Sequence, residues 1–167
     1  MIKNPKSYYQ VIQNAFEILT NRDNYAYWYG AKNQVLTREL MDALVACEPD
    51  YFARYSPTRL ANLKQWSLGR VGLDCSGFIN VITGMENYST GYYIDTLNKT
   101  SPGKGTEGNI LYTTWGGKGR HVGLDIGYGY ALEFAHEGDS CIITKISTRG
   151  WEHSGQIRGI DYTGAKA

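Results

Sequence analysis

Gly72-Leu73-Asp74-Cys75-Ser76-Gly77-Phe78-Ile79 sets a cysteine directly after a residue that caps helices and directly before an apolar run. Aspartate suits an N-cap because its carboxylate accepts from the unpaired N–H groups of a first helical turn. The stretch therefore reads as a loop over residues 69–74 followed by the start of a buried helix over 75–81. At such a start the free N–H groups and the helix dipole favour negative charge, so a thiolate at Cys75 is stabilised and usable as a nucleophile. The same N–H groups can hold an oxyanion formed when that sulfur attacks a carbonyl. Ser76 and Gly77 are small and leave room for the approach. A cysteine is more often simply core, but the cap, the small neighbours and the apolar run together favour chemistry at Cys75.

Upstream the spacing is helical. Tyr8, Val11, Ile12, Ala15, Phe16 and Leu19 recur on one face, and residues 21–24 supply a polar stop. A second helix fits residues 37–47, with Thr37 as N-cap, a stripe of Leu40, Met41, Leu44 and Val45, and Pro49 as its end. A third starts at Ser56 or Pro57 and runs to about Trp66. Downstream the period changes to two. Val122, Leu124 and Ile126 alternate with His121, Gly123 and Asp125, Leu132 and Phe134 alternate with Glu133 and Ala135, and further strands fit residues 141–146 and 156–160. Residues 84–119, rich in Gly, Thr, Asn and Tyr, read as a long loop or several short elements. Helices followed by an antiparallel sheet is an α+β layout. One domain is expected over residues 1–167, helical over 1–83, loop-rich over 84–119 and sheet-forming over 120–162.

Composition narrows the function. Hydrophobic residues make up 42% and charged residues 20% of 167, which is globular usage. A net charge of +1 lacks the footprint of a general nucleic-acid binder. No apolar run approaches the roughly 20 residues of a membrane span, so no membrane insertion is expected. Three cysteines (Cys47, Cys75, Cys141) and three histidines (His121, His136, His153) show no metal-binding spacing, and no metal or other cofactor is expected. The odd, sparse cysteines suit reduced thiols better than a disulfide scaffold. Fourteen Tyr and four Trp suit a site that grips sugars or peptides, and equally an aromatic core.

Three motifs carry a resemblance. Leu73-Asp74-Cys75-Ser76-Gly77-Phe78-Ile79 resembles the nucleophile motif of the NlpC/p60 family of bacterial cell-wall cysteine peptidases. His121-Val122-Gly123-Leu124-Asp125-Ile126-Gly127 resembles the strand bearing that family's histidine, and Tyr27-Trp28-Tyr29-Gly30-Ala31 its aromatic-glycine segment. Gly150-Trp151-Glu152-His153-Ser154-Gly155 is similar to a tail of phage-type members. The resemblance covers most of the chain from about Tyr27 onward. It implies a papain-like α+β fold, with Cys75 as nucleophile and His121 as general base and acid. The implied reaction is hydrolysis of amide bonds in peptidoglycan stem peptides, often between D-glutamate and a diamino acid. Peptidoglycan is then the expected partner and a monomer the expected state. The first ten residues lack a secretory apolar stretch. Synthesis in the cytoplasm and action at the cell wall, delivered by a phage or released on lysis, is the matching expectation. The alternatives are an amidase cutting between sugar and peptide, an acyltransferase or deamidase using the same Cys–His site, and a non-catalytic wall-binding or tail module.

A Cys–His pair needs a third group to orient the imidazole. The family commonly has His, Asn or Gln where this chain has Glu133. Two hairpin registers compete. A two-residue turn at Tyr128-Gly129 pairs Leu124 with Glu133 and His121 with His136, setting an apolar residue beside a carboxylate. A three-residue loop, Gly127-Tyr128-Gly129, pairs Val122 with Phe134 and Leu124 with Leu132, leaving the apolar face continuous. In the second register His121 and Glu133 are diagonal neighbours on one face, within reach of a long side chain. A carboxylate accepting from the imidazole would raise the histidine's pKa. Glu133 is therefore the expected orienting residue.

The remaining residues follow from this register. His136 faces away from His121, His153 reads as a surface residue, and Asp125 lies about 13 Å along the strand from His121. Cys47 and Cys141 read as core. Tyr27 matches the family's active-site tyrosine, where a phenol could donate to substrate or oxyanion, with core packing the competing role. Asp74 and Ser76 flank the nucleophile and could contact the substrate's free amine and carbonyls, with helix capping an equal role for Asp74. The segment between Gly30 and Asp74 exceeds the minimal family pattern and is expected to wall the cleft.

Overall fold

The computed structural model describes residues 4–85, 89–96, 98–100, 107–115 and 118–166. Ser7 accepts from the Gln10 N–H at 3.4 Å and opens α1 (Tyr8–Thr20), which buries Val11, Ala15 and Ile18 along one stripe. Thr37 accepts from the Leu40 N–H at 3.2 Å and opens α2 (Arg38–Cys47). Pro49 does more than end it. Its fixed φ and missing N–H suit a first helical position, and it starts α3 (Pro49–Phe52), which brings Phe52 to 5.6 Å from the Trp28 ring. Ser56 accepts from the Arg59 N–H at 3.2 Å and caps α4 (Pro57–Ser67), with Pro57 in its first turn.

The first half of the chain is not purely helical. β1 (Tyr25–Tyr27), β2 (Lys32–Val35) and β3 (Val71–Leu73) form a sheet in the order β1-β3-β2, with β1 parallel and β2 antiparallel to β3. Residues 69–74, expected as loop, therefore contain a strand. Strands of three or four residues are too short to show a period-two pattern, and β1 pairs with a strand distant in sequence. This sheet and α2–α4 enclose Trp28, Leu36, Met41, Phe52 and Leu63 as a second core beside the main one.

Asp74 accepts from the Gly77 N–H at 2.6 Å and caps α5 (Cys75–Thr83), which ends at Gly84 with φ +69°. Within 84–119, the described residues form α6 (Thr90–Thr96), β4 (Asn98–Thr100) and β5 (Ile110–Trp115). Residues 86–88, 97, 101–106 and 116–117 of that stretch lie outside the described residues. β6 (Lys118–Gly127), β7 (Tyr130–Phe134), β8 (Cys141–Lys145) and β9 (His153–Gln156) complete an antiparallel sheet in the order β4-β9-β5-β6-β7-β8. β9 starts earlier than the strand expected at 156–160. Its inward Ser154 takes a hydrogen bond from Asn109 Nδ2 at 2.9 Å, a polar contact that hides the strand from a hydrophobic pattern.

α5 lies between α1 and the large sheet, and eight of its nine residues are buried. Phe78, Ile79 and Ile82 meet Val122, Leu124, Leu132 and Phe134, with the Phe78 and Phe134 rings 5.2 Å apart. Truncating such a phenylalanine to alanine costs about 3–5 kcal/mol. The β6–β7 hairpin has the expected register and an unexpected turn. Leu124 pairs with Leu132, as a continuous apolar face requires. Gly127 pairs with Tyr130, however, so the turn is the two-residue one, with Tyr128 at φ 55° and Gly129 at φ 79°. A bulge between Asp125 and Gly127 absorbs the odd residue, and Asp125 Oδ1 accepts from the Gly127 N–H at 2.8 Å within it.

Candidate active site

α5 packs on the Val122, Leu124, Leu132 and Phe134 face of β6 and β7, and Cys75 at its start lines one cleft with His121 of β6. Cys75 occupies the first position of α5, is 8% exposed, and lies 3.6 Å from Thr90 Oγ1 at the start of α6. It lines the same cleft as His121, close enough to act on the imidazole's pKa. His121 Nε2 lies 2.7 Å from Glu133 Oε2, which leaves Nδ1 as its other ring nitrogen. The Trp151 ring stacks on the imidazole, with centroids 5.3 Å apart and planes 13° apart. That stack explains Gly123: a Cβ there would come within 2.9 Å of the Trp151 ring.

Glu133 is fully buried and its oxygens are filled. Thr144 Oγ1 donates to Oε1 at 2.6 Å, Arg149 Nε donates to Oε1 at 2.7 Å, and Arg149 Nη2 donates to Oε2 at 2.7 Å. Burial acts to raise its pKa, but the bonds from His121, Arg149 and Thr144 prevail and lower it to about 2. For His121, burial is again the largest influence and favours the neutral ring. The hydrogen bonds with Cys75 and Glu133, helped by their charges, overcome it and lift the pKa to about 9. The arrangement favours an imidazolium against a carboxylate, with the cysteine in the same cleft.

The cysteine and histidine open into a cleft of about 720 Å³ that Tyr27, Tyr51, Arg54 and Arg149 also line. Tyr27 is 4% exposed and within the core, and its hydroxyl lies 3.5 Å from that of Tyr51. Burial, then the charge of Cys75, push its pKa well above that of an ordinary phenol. It is thus both a core residue and a lining residue of the cleft. The long segment before Asp74 walls the cleft as expected. Tyr51 stacks on Tyr29 at 3.9 Å, and the Arg54 guanidinium lies 3.6 Å over the Tyr51 ring. Behind them the buried Glu137 accepts from the Tyr29 N–H and the Tyr51 hydroxyl, both at 3.1 Å, and from the Tyr55 hydroxyl at 2.8 Å.

Asp74 and Ser76 are engaged within the protein. Lys32 Nζ donates to both Asp74 oxygens at 2.6 Å and to Ser76 Oγ at 2.5 Å, while Asp74 also caps α5. His136 points outward, 62% exposed, with Nε2 3.8 Å from Asp139 Oδ2. His153 stacks on Tyr112 at 5.0 Å, and Asp125 sits in the hairpin bulge rather than beside His121. Cys141 is buried, but Cys47, expected in the core, is exposed at the end of α2. Sequence reasoning missed Arg149, Thr144, Trp151 as the cover of His121, Lys32 and Glu137. Only Trp151 carried a local signal, through the motif around it.

Neither a protein-family model nor a curated protein matches the chain. Solved structures do. The chain is similar to the peptidoglycan hydrolase RipB from Mycobacterium tuberculosis, at 17% identity over 93% of this chain and 67% of that one, with a TM-score of 0.58. It is similar to the P60 domain of an antigen from M. avium subspecies paratuberculosis, at 13% identity over 93% and 98%, with a TM-score of 0.57. RipD from M. tuberculosis, described as a non-catalytic NlpC/p60 domain protein adapted to peptidoglycan binding, matches at 19% identity over 89% and 98%, with a TM-score of 0.53. At these identities the likeness defines the fold: papain-like α+β, of the NlpC/p60 type.

Proposed function

We propose that the chain is a cysteine peptidase that hydrolyses amide bonds in peptidoglycan stem peptides through a thioester acyl-enzyme. The observation that carries this reading is that Cys75 and His121 line one cleft while the buried Glu133 holds His121 at 2.7 Å. Cys75 attacks the scissile carbonyl as a thiolate. The first N–H groups of α5, which lack intrahelical partners, face the developing oxyanion. His121, protonated, gives its proton to the leaving amine, then takes one from the water that cleaves the thioester. Glu133 holds the imidazole by accepting from Nε2. Tyr27 stands where its hydroxyl can donate to substrate, and the Tyr51–Arg54 wall shapes the far side of the cleft.

The bond we assign is the one between D-glutamate and a diamino acid, and the setting a phage or prophage lytic or tail-associated enzyme. These rest on the motif resemblance. RipD favours one other reading, a module that binds the wall without cutting it. The presence of Cys75 and His121 on one cleft, with Glu133 holding the histidine, argues for catalysis.

Mass spectrometry of purified peptidoglycan after incubation with wild type and Cys75→Ala tests the proposal. Cleavage by the wild type alone is expected, and fragment masses distinguish an endopeptidase from an amidase. Wall binding without fragments from either protein would favour the RipD-like reading.

A further inference from the structure

Glu133 departs from the neutral residues common at its position, and the structure holds a compensation for that departure in one short segment. Arg149, Gly150, Trp151 and Glu152 follow β8 and a short turn (Ile146–Thr148) and run along the cleft. Arg149 forks onto both oxygens of Glu133, Gly150 turns the chain at φ +66°, and Trp151 covers the imidazole of His121. Glu152 Oε2 fastens the segment to β5 by accepting from the Thr114 N–H at 3.0 Å and its hydroxyl at 2.7 Å. We propose that Arg149 is a positioning residue for the Cys75–His121 pair, fixing Glu133 against His121 and supplying the counter-charge that keeps this carboxylate compatible with the pair. The proposal rests on Cys75 and His121 being the reacting groups.

The charge count carries the argument. A thiolate, an imidazolium and a fully buried carboxylate sum to one negative charge, and uncompensated buried charge is costly. The guanidinium brings the sum to zero. A bidentate fork also stops the carboxylate from rotating, because both oxygens are tied in one plane. The oxygen that accepts from His121 is the one that accepts from Arg149 Nη2. Sharing it lowers its basicity, so it orients the imidazolium without holding the proton too tightly for transfer to a leaving amine. Arg149 thus lets a carboxylate stand in for a neutral amide. Its effect must be read against the other groups around the imidazole: Cys75 from α5, Glu133 from β7, and Tyr27, Arg120 and Glu152 around the cleft.

Alkylation of Cys75 by iodoacetamide, followed by intact mass across pH in a Cys47→Ser background, reads the pair without any wall substrate. Failure here is therefore separable from failure of the peptidoglycan reading. In Arg149→Gln the limb set by His121 should move up by about one pH unit, and peptide cleavage should fall on the order of 10-fold or more. Arg149→Lys, which restores charge without the fork, should return the limb toward wild type but recover only a fraction of the rate. Should Arg149→Gln not fold, the double variant Glu133→Gln/Arg149→Gln decides, because it removes the buried carboxylate together with its counter-charge: its limb should fall below the wild-type one. A wild-type alkylation profile in Arg149→Gln, or in the double variant, would overturn the proposal.

Discussion

His121 and Glu133 touch across the β6–β7 hairpin as diagonal neighbours, Nε2 to Oε2 at 2.7 Å, in the register set by Leu124 opposite Leu132. One residue of slip would turn Glu133 to the other face of the sheet. The bulge at Asp125–Gly127 therefore has a functional consequence: it permits a tight two-residue turn while keeping the register that brings the two side chains together.

This pair makes stability depend on pH in two directions. The His121 pKa is raised from 6.5 to about 9, so its contribution is fully present below 6.5 and is lost as pH rises through 9. The Glu133 pKa is lowered from 4.5 to about 2, so its contribution is present above 4.5 and is lost as pH falls toward 2. Thermal melts should show both declines in the wild type. In Glu133→Gln the acid decline should shrink and the alkaline one begin at lower pH. Unchanged melting profiles in that variant would contradict the coupling.

Asp125 carries the opposite sign. Burial, assisted by the charge of Glu107, raises its pKa from 3.8 to about 6, although the Gly127 N–H opposes this. Ionising it at neutral pH thus costs stability. Asp125→Asn keeps an oxygen for the Gly127 N–H and removes the charge, so Tm at pH 7 should rise by about 2–4 °C. The gain should vanish near pH 4. A lower Tm at pH 7 would mean that the bulge needs the carboxylate.

Lys32 occupies the acidic position beside the nucleophile, with its ammonium on Asp74 and Ser76. A substrate ammonium would have to displace it. Wild type should therefore cut a stem peptide with an acetylated N-terminus about as well as one with a free amine. Lys32→Met should gain a preference for the free amine, read as a ratio of kcat/KM values. A wild type that requires the free amine would show that Lys32 yields to substrate.

Gly123 leaves space for the ring that covers His121. In Gly123→Ala the added Cβ would meet Trp151 at 2.9 Å and the Leu132 carbonyl oxygen at 3.2 Å, so the ring must move. Overpacking of this kind costs about 1–3 kcal/mol, measurable by urea unfolding. Activity should fall further than stability accounts for at working temperature, because the imidazole loses its cover. Activity that tracks the folded fraction alone would remove Trp151 from the mechanism.

Much of the fold was legible because its signals are local. The caps at Thr37, Ser56 and Asp74 lie within four residues of the N–H groups they bind, and α5 declares itself by its cap and apolar run. The alternation around His121 and Glu133 chose the hairpin register. β1, β2 and β3 escaped because strands so short show no period and gain their stability from partners across the chain. β9 escaped because a buried serine bonded to Asn109 reads as a surface residue.

The division within the site has the same cause. Cys75 at a helix start and His121 and Glu133 on one face of a hairpin follow from helix and strand periods, which the order of residues determines directly. The fork of Arg149 on Glu133, the cover of Trp151 on His121 and the ammonium of Lys32 on Asp74 have no period behind them. They join residues from separate elements, and only strand order and the packing of α5 between α1 and the sheet bring those elements together. Local sequence could nominate the reacting pair, but the charges that balance it are neighbours in space alone.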